Sequence, residues 1–195
     1  MIVLTLVRHA PTVWNADGRM QGRSDVPLSP EGQSLARSWR LPDGLEQAMW
    51  MTSPLQRARQ TAEILGVSAL VDDRLIEMDW GDWEGETLSS LRETQGTSMV
   101  VNEARGLNFA PPNGESPRMV QQRVQPWLQD VGSSTYPIAA ITHKGVIRAV
   151  TALATGWDMT GKEPQKLKPN TCRQFAVSRD GSIELVRPSI TLTDA

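Results

Sequence analysis

Ile2-Val3-Leu4-Thr5-Leu6-Val7, followed at once by Arg8-His9, is the stretch on which the fold turns. Six nearly continuous apolar, β-prone residues suit a strand covered on both faces, as in a parallel sheet. Ala48-Met49-Trp50-Met51-Thr52 and Ile138-Ala139-Ala140-Ile141-Thr142 have the same character more weakly, and a helical pattern follows each. After Thr52, Ser53 is placed to cap a helix, with Pro54 at its first position and Gln56 completing a capping box. Leu55, Ala58, Ala62 and Leu65 mark one face of that helix, and Gly66 is suited to end it. Ser29-Pro30 opens an earlier helix in the same way. Ser116-Pro117 opens another, striped by Val120, Val124, Trp127, Leu128 and Val131, with a kink expected at Pro126. A buried helix is expected over 145–154, and a hairpin over 173–177 and 183–186 around Asp180-Gly181. Strand alternating with helix predicts a three-layer α/β/α sandwich with a mostly parallel central sheet.

The 195 residues fit one domain, 1–195, with room for a sizeable core. Residues 87–116 show no clear periodicity and end in Pro111-Pro112-Asn113-Gly114, which marks them as irregular and as a candidate lid or capping excursion. A net charge of −2 gives no electrostatic reason to expect nucleic acid or an anionic membrane as partner. One cysteine, Cys172, excludes an internal disulfide, and two histidines are too few for a His-rich metal centre, so neither metal nor cofactor is expected. The opening apolar run is short and lacks a preceding basic flank, unlike a signal peptide, and no stretch is long and apolar enough to span a bilayer. A cytoplasmic protein is the expectation; the oligomeric state stays open.

In open α/β sheets, ligands bind in the crevice outside the carboxyl ends of the strands. The first strand runs into Arg8-His9, the strand at Ile138 into His143, and the one at Met49 into the helix whose first turn carries Arg57. Both histidines of the chain and two arginines therefore fall where a ligand would sit. Arg57 is unfavourable against the positive end of its helix unless an anion lies between them, a mild pointer to phosphate.

Six segments then match, in order, the motifs of one family. Leu6-Val7-Arg8-His9-Ala10-Pro11-Thr12-Val13-Trp14-Asn15 resembles the signature of the histidine phosphatase superfamily, the phosphoglycerate mutase-like proteins. Gly18-Arg19-Met20-Gln21-Gly22 with Asp25-Val26-Pro27-Leu28-Ser29 is similar to its second loop, and 53–62 to its second motif. Residues 75–85, with Trp80-Gly81-Asp82-Trp83-Glu84-Gly85, resemble the segment carrying the catalytic acid. Gly114-Glu115-Ser116 and Thr142-His143-Lys144-Gly145-Val146-Ile147-Arg148 complete the series. The resemblance implies a phosphoglycerate mutase-like fold. It also implies a nucleophilic His9 that forms a transient phosphohistidine, with Arg8, Arg57 and His143 stabilising the phosphoryl charge. Asn15 and Gln21 are implied as substrate-binding groups, and Lys144, inside the last segment, is taken as a third candidate.

These residue types suit that chemistry. A phosphoryl group in flight spreads negative charge over its equatorial oxygens, and arginine forks meet such charge well. A histidine attacks if it is neutral and its second nitrogen is held, and neighbouring arginines favour the neutral form. The leaving alkoxide needs a proton; Glu77, Asp79, Asp82, Glu84 and Glu86 are all local candidates, and only the resemblance selects Glu77. Trp80 and Trp83 are expected mainly as core.

Two residues depart from the family pattern. Ala10 replaces a glycine and would be strained if that backbone needs glycine's freedom. Lys144 replaces the first glycine of His-Gly-Gly and either adds a cation beside the substrate or points to solvent. The compact spacing resembles the phosphatase branch, such as the alpha-ribazole phosphatase-type enzymes, acting on a small phosphorylated substrate without a metal. A phosphoglycerate mutase-type transfer and an inactive phosphate-binding module are the alternatives. The phosphomonoester itself is not legible: Arg92, Glu93, Glu103 and Arg105 in the variable stretch give no clear preference.

Overall fold

A computed structural model describes residues 1–192. Six strands form one sheet: β1 (Ile2–Arg8), β2 (Met49–Thr52), β3 (Ala69–Val71), β4 (Ile138–Thr142), β5 (Thr171–Val177) and β6 (Ile183–Thr191). Their spatial order is β3-β2-β4-β1-β5-β6. The first four are mutually parallel, while β5 runs antiparallel to β1 and β6 to β5. The sheet is thus mostly parallel, as its apolar strands predict, with an antiparallel hairpin on one side.

The helices are α1 (Val13–Ala16), α2 (Pro30–Ser38), α3 (Gln56–Ile64), α4 (Leu88–Gln95), α5 (Thr97–Glu103), α6 (Pro117–Gly132) and α7 (Lys144–Thr155). The period-2 alternation of the strands sorts the core into two clusters. Leu4, Leu6, Ile138, Ala140, Phe175 and Val177 pack with Val120, Val124, Trp127 and Leu128 of α6 and Val146, Ile147 and Val150 of α7. Val7, Ala139, Ile141 and Cys172 face the other way, against Ala36 of α2 and Ala58 and Ala62 of α3. Every residue of β4 is buried, which is why the strand lacks a polar face in sequence. Helix, sheet and helix make three layers, and all the parallel strands end on one rim.

Several local expectations are met. Ser29 and Ser116 cap α2 and α6 through their hydroxyls, each with proline at the start. Gly66 follows the end of α3 with φ +69°, a conformation that costs glycine nothing. The predicted capping box at Ser53 does not form. Helix α3 begins at Gln56, its N-cap Leu55 has no capping side chain, and Asp25 accepts the Gln56 N–H at 2.7 Å instead. Residues 87–116 are also more regular than expected: α4 and α5 fold there, joined by an Arg92–Glu103 ion pair at 2.7 Å. They bury Leu91 and Met99 against Trp83, which is core as anticipated, with Trp80 and Phe109 alongside. Helix α6 runs unbroken through Pro126. Among the described residues, no helix is long and apolar enough to cross a membrane.

Candidate active site

The carboxyl rim of the parallel strands gathers the charged groups. His9 follows β1, its N–H continuing the ladder to the Thr142 carbonyl at 3.0 Å. Ser53 follows β2 in the same way, donating its N–H to Ile141, and His143 follows β4 as the N-cap of α7. The two imidazoles are neighbours, with ring centroids 5.1 Å apart and planes tilted by 55°.

The His9 ring is defined by one contact. Its Nδ1 lies 2.7 Å from the Ala10 carbonyl, which has only lone pairs to offer, so Nδ1 carries the hydrogen. Nε2 is then a lone pair with no partner among the described residues. Burial, followed by the charges of Arg8 and Arg57, holds the His9 pKa well below the usual histidine range. His143 is fully buried and also held low, by burial first and then by His9, Arg57 and Arg8. The Arg57 Nε–H donates to its Nδ1 at 3.3 Å, so its Nε2–H donates to the Ser53 hydroxyl at 2.7 Å.

The two arginines differ. Arg57, 1% exposed, spends three donors on protein: Nε on His143, Nη1 on the Ser24 carbonyl at 2.8 Å and Nη2 on the Gly22 carbonyl at 2.7 Å. Arg8 makes no hydrogen bond among the described residues, and its Nε is sealed from solvent and unpartnered. A buried unpaired donor costs about 1–3 kcal/mol, more on a charged group, so an anion brought to this guanidinium would be bound with gain.

Glu77 closes the site from the segment after β3. Thr142 donates its hydroxyl to the Leu75 carbonyl at 2.8 Å, and Arg123 of α6 donates to the carbonyls of Arg74, Ile76 and Glu77. The Glu77 carboxylate accepts from its own neighbour Met78 N–H at 2.8 Å and from Gly145 N–H, in the first turn of α7, at 3.2 Å. A Cβ on Gly145 would stand 2.4 Å from Glu77 Oε1, so only glycine admits this approach. Of the five local acids, Glu77 alone sits among the strand ends: Asp82 bonds Asn113, Asp79 pairs with Arg23, Glu86 bonds Ser90 and Glu84 clasps the 22–24 loop.

The expected substrate-binding residues line the approach less directly. Asn15 Oδ1 accepts from the Thr12 N–H as part of a capping box that starts α1, leaving its amide nitrogen unpaired among the described residues. Gln21 accepts the Thr12 hydroxyl at 2.9 Å and is otherwise buried. Lys144 opens α7, exposed and without an ion pair or hydrogen bond among the described residues. Partial enclosure by protein, then Arg8 and Arg148, lower its ammonium pKa. Ala10 is unstrained: its φ is not positive, its methyl is buried and its N–H donates to the Thr61 hydroxyl. Among the described residues no three His, Cys, Asp or Glu side chains converge as metal ligands.

A mostly parallel α/β sheet with two histidines side by side at its carboxyl rim defines a phosphoglycerate mutase-like protein. The model of the "Histidine phosphatase superfamily (branch 1)" matches residues 4–191, and the chain belongs to that family. Among its relatives, Phosphoserine phosphatase 1 of Hydrogenobacter thermophilus is 30% identical over 82% of this chain and 79% of its own length. A 2,3-bisphosphoglycerate-dependent phosphoglycerate mutase of Azorhizobium caulinodans is 32% identical over 65% of this chain and 66% of its own. The crystal structure of phosphoglycerate mutase from Thermus thermophilus superposes with a TM-score of 0.76 at 31% identity, covering 98% of this chain and 99% of that one. Family and relatives together support a phosphatase or mutase activity.

Proposed function

We propose that this chain is a metal-independent phosphatase that hydrolyses a small phosphate monoester through a phosphohistidine on His9, with Glu77 as general acid. The observation that carries this reading is the pairing of a neutral His9 with an Arg8 guanidinium, the His9 Nε2 lone pair and the guanidinium both without a protein partner among the described residues. Nε2 attacks phosphorus as the P–O bond to the leaving group breaks, and Arg8 and the unspent N–H groups of Arg57 take up the equatorial charge. Glu77 gives its proton to the departing oxygen, then takes one from the water that cleaves the N–P bond. Asn15, Gln21 and Lys144 bind the rest of the substrate.

The test is release of inorganic phosphate from 4-nitrophenyl phosphate in excess chelator, with a denaturing alkaline quench to trap the phosphoenzyme. Turnover with an acid-labile, alkali-stable phosphoprotein supports the reading; chelator-sensitive turnover, or no covalent intermediate, sinks it. The mutase-named relatives favour one alternative, in which a second hydroxyl rather than water takes the phosphoryl group. Isomerised phosphoglycerate with little released phosphate would select it.

Gly145→Ala tests the placement of the acid. The added methyl must push the Glu77 carboxylate from its seat, and a misplacement near 1 Å costs about a hundredfold in kcat. Alanine is a better helix former than glycine, so thermal unfolding should change little. Unchanged kcat would show that Glu77 need not sit where it does.

A further inference from the structure

Glu84 makes no contact with the groups proposed to react, yet its carboxylate is bonded on both oxygens. Oε1 accepts the Arg23 N–H at 2.6 Å and the Trp80 N–H at 3.4 Å. Oε2 accepts the Ser24 N–H at 2.9 Å and the Ser24 hydroxyl at 2.6 Å. Gly22 has φ +52°, and a Cβ there would lie 1.8 Å from Oε1, so the carboxylate occupies space that only glycine leaves.

The other side of this loop holds Arg57, through the carbonyls of Gly22 and Ser24. The Gly22 carbonyl and the Arg23 N–H belong to one peptide unit. That unit is therefore gripped from both ends, its oxygen by a guanidinium and its N–H by a carboxylate, and each bond polarises the other. No carboxylate forms an ion pair with Arg57 among the described residues, so two carbonyls and His143 alone set the plane of its fork. Arg57 also feels the negative charge of Glu84, though less than those of Glu77 and Asp25.

We propose that Glu84 is a positioning residue for phosphoryl transfer: through the Gly22–Arg23 peptide it orients Arg57 so that the remaining N–H groups of the fork meet the phosphoryl oxygens. This rests on the phosphatase reading, in which Arg57 takes up equatorial charge. The fork is matched to the in-flight geometry, so losing its orientation costs transition-state binding more than ground-state binding.

The experiment measures the affinities of orthovanadate, which mimics the five-coordinate transition state, and of inorganic phosphate, for wild type, Glu84→Gln, Arg57→Gln and the double variant. Glu84→Gln should weaken vanadate about 10–100-fold and phosphate far less. In the Arg57→Gln background the same change should cost less than about threefold, because the residue it acts through is gone. Equal losses in both backgrounds, or wild-type vanadate affinity in Glu84→Gln, overturn the proposal. If Glu84→Gln does not fold, Ser24→Ala removes one bond of the clasp and keeps the Ser24 carbonyl on Arg57. A selective loss of vanadate affinity in it supports the role of the clasp, and parallel losses of both anions overturn it. Wild type that binds vanadate while the cycle is additive overturns the role of Glu84 alone; wild type that binds neither anion overturns the phosphatase reading and this role with it.

Discussion

His9→Ala should lower turnover of any phosphate monoester by about 10⁴–10⁶-fold, the scale seen when a covalent nucleophile is removed. The other histidine of the chain offers no substitute. The nearest imidazole, His143, has both nitrogens engaged, one by Arg57 and one by Ser53. The variant should still bind inorganic phosphate, since Arg8 and Arg57 remain, and this separates lost chemistry from a lost site. The wild type carries a further expectation on pH. Protonation of Nε2 would remove the attacking lone pair, and burial with two flanking arginines pushes that event well below the usual pH. The rate should therefore not fall as the pH drops through about 6.5, where a free imidazole takes up its proton. Steady-state rates on 4-nitrophenyl phosphate, with phosphate binding as control, check both. A His9→Ala protein retaining more than about 1% of wild-type turnover would place the nucleophile elsewhere, because general acid and charge stabilisation alone cannot sustain that rate.

What the chain discloses before folding follows from how local the cause is. The strand Ile138–Thr142 was legible to the residue because burial on both faces leaves five consecutive residues without a polar position. The caps at Ser29 and Ser116 were legible because donor and acceptor lie three residues apart. Ser53 carries the same local signal and misleads, for its hydroxyl serves His143, 90 positions away, while Asp25 caps the helix from 31 positions away. Strand β3 and helices α4 and α5 escaped notice for want of pattern: Leu70 and Val71 are exposed, and each helix buries one residue. The site divides in the same way. Arg8 ends one apolar strand and His9 and His143 directly follow two, so topology alone brings them to one rim. The residues that hold them do not announce themselves. Arg123 lies beside an apolar helical stripe like any solvated arginine, and Glu84 is one of five acids within ten residues. Their partners are chosen by chain segments that meet only in the folded state.

Glu77→Gln should slow phosphoenzyme formation, followed in a single turnover, by about 10³-fold for an alkyl phosphate and by no more than about tenfold for 4-nitrophenyl phosphate, within the range that general acids supply. The difference arises in the leaving group. A departing alkoxide is too basic to leave bare and must be protonated as the P–O bond breaks, whereas nitrophenolate leaves without help. Glutamine preserves the volume of a side chain that is 8% exposed and wedged against Gly145. KM should accordingly stay level or fall as kcat collapses, which loss of a binding residue would not produce. The comparison of the two substrates decides the role. A carboxylate that merely orients Arg8 would be missed equally by both leaving groups, because the charge on the phosphoryl oxygens is common to them. Equal losses would make Glu77 a partner of the arginines; losses that grow with the basicity of the leaving group would make it the source of the proton.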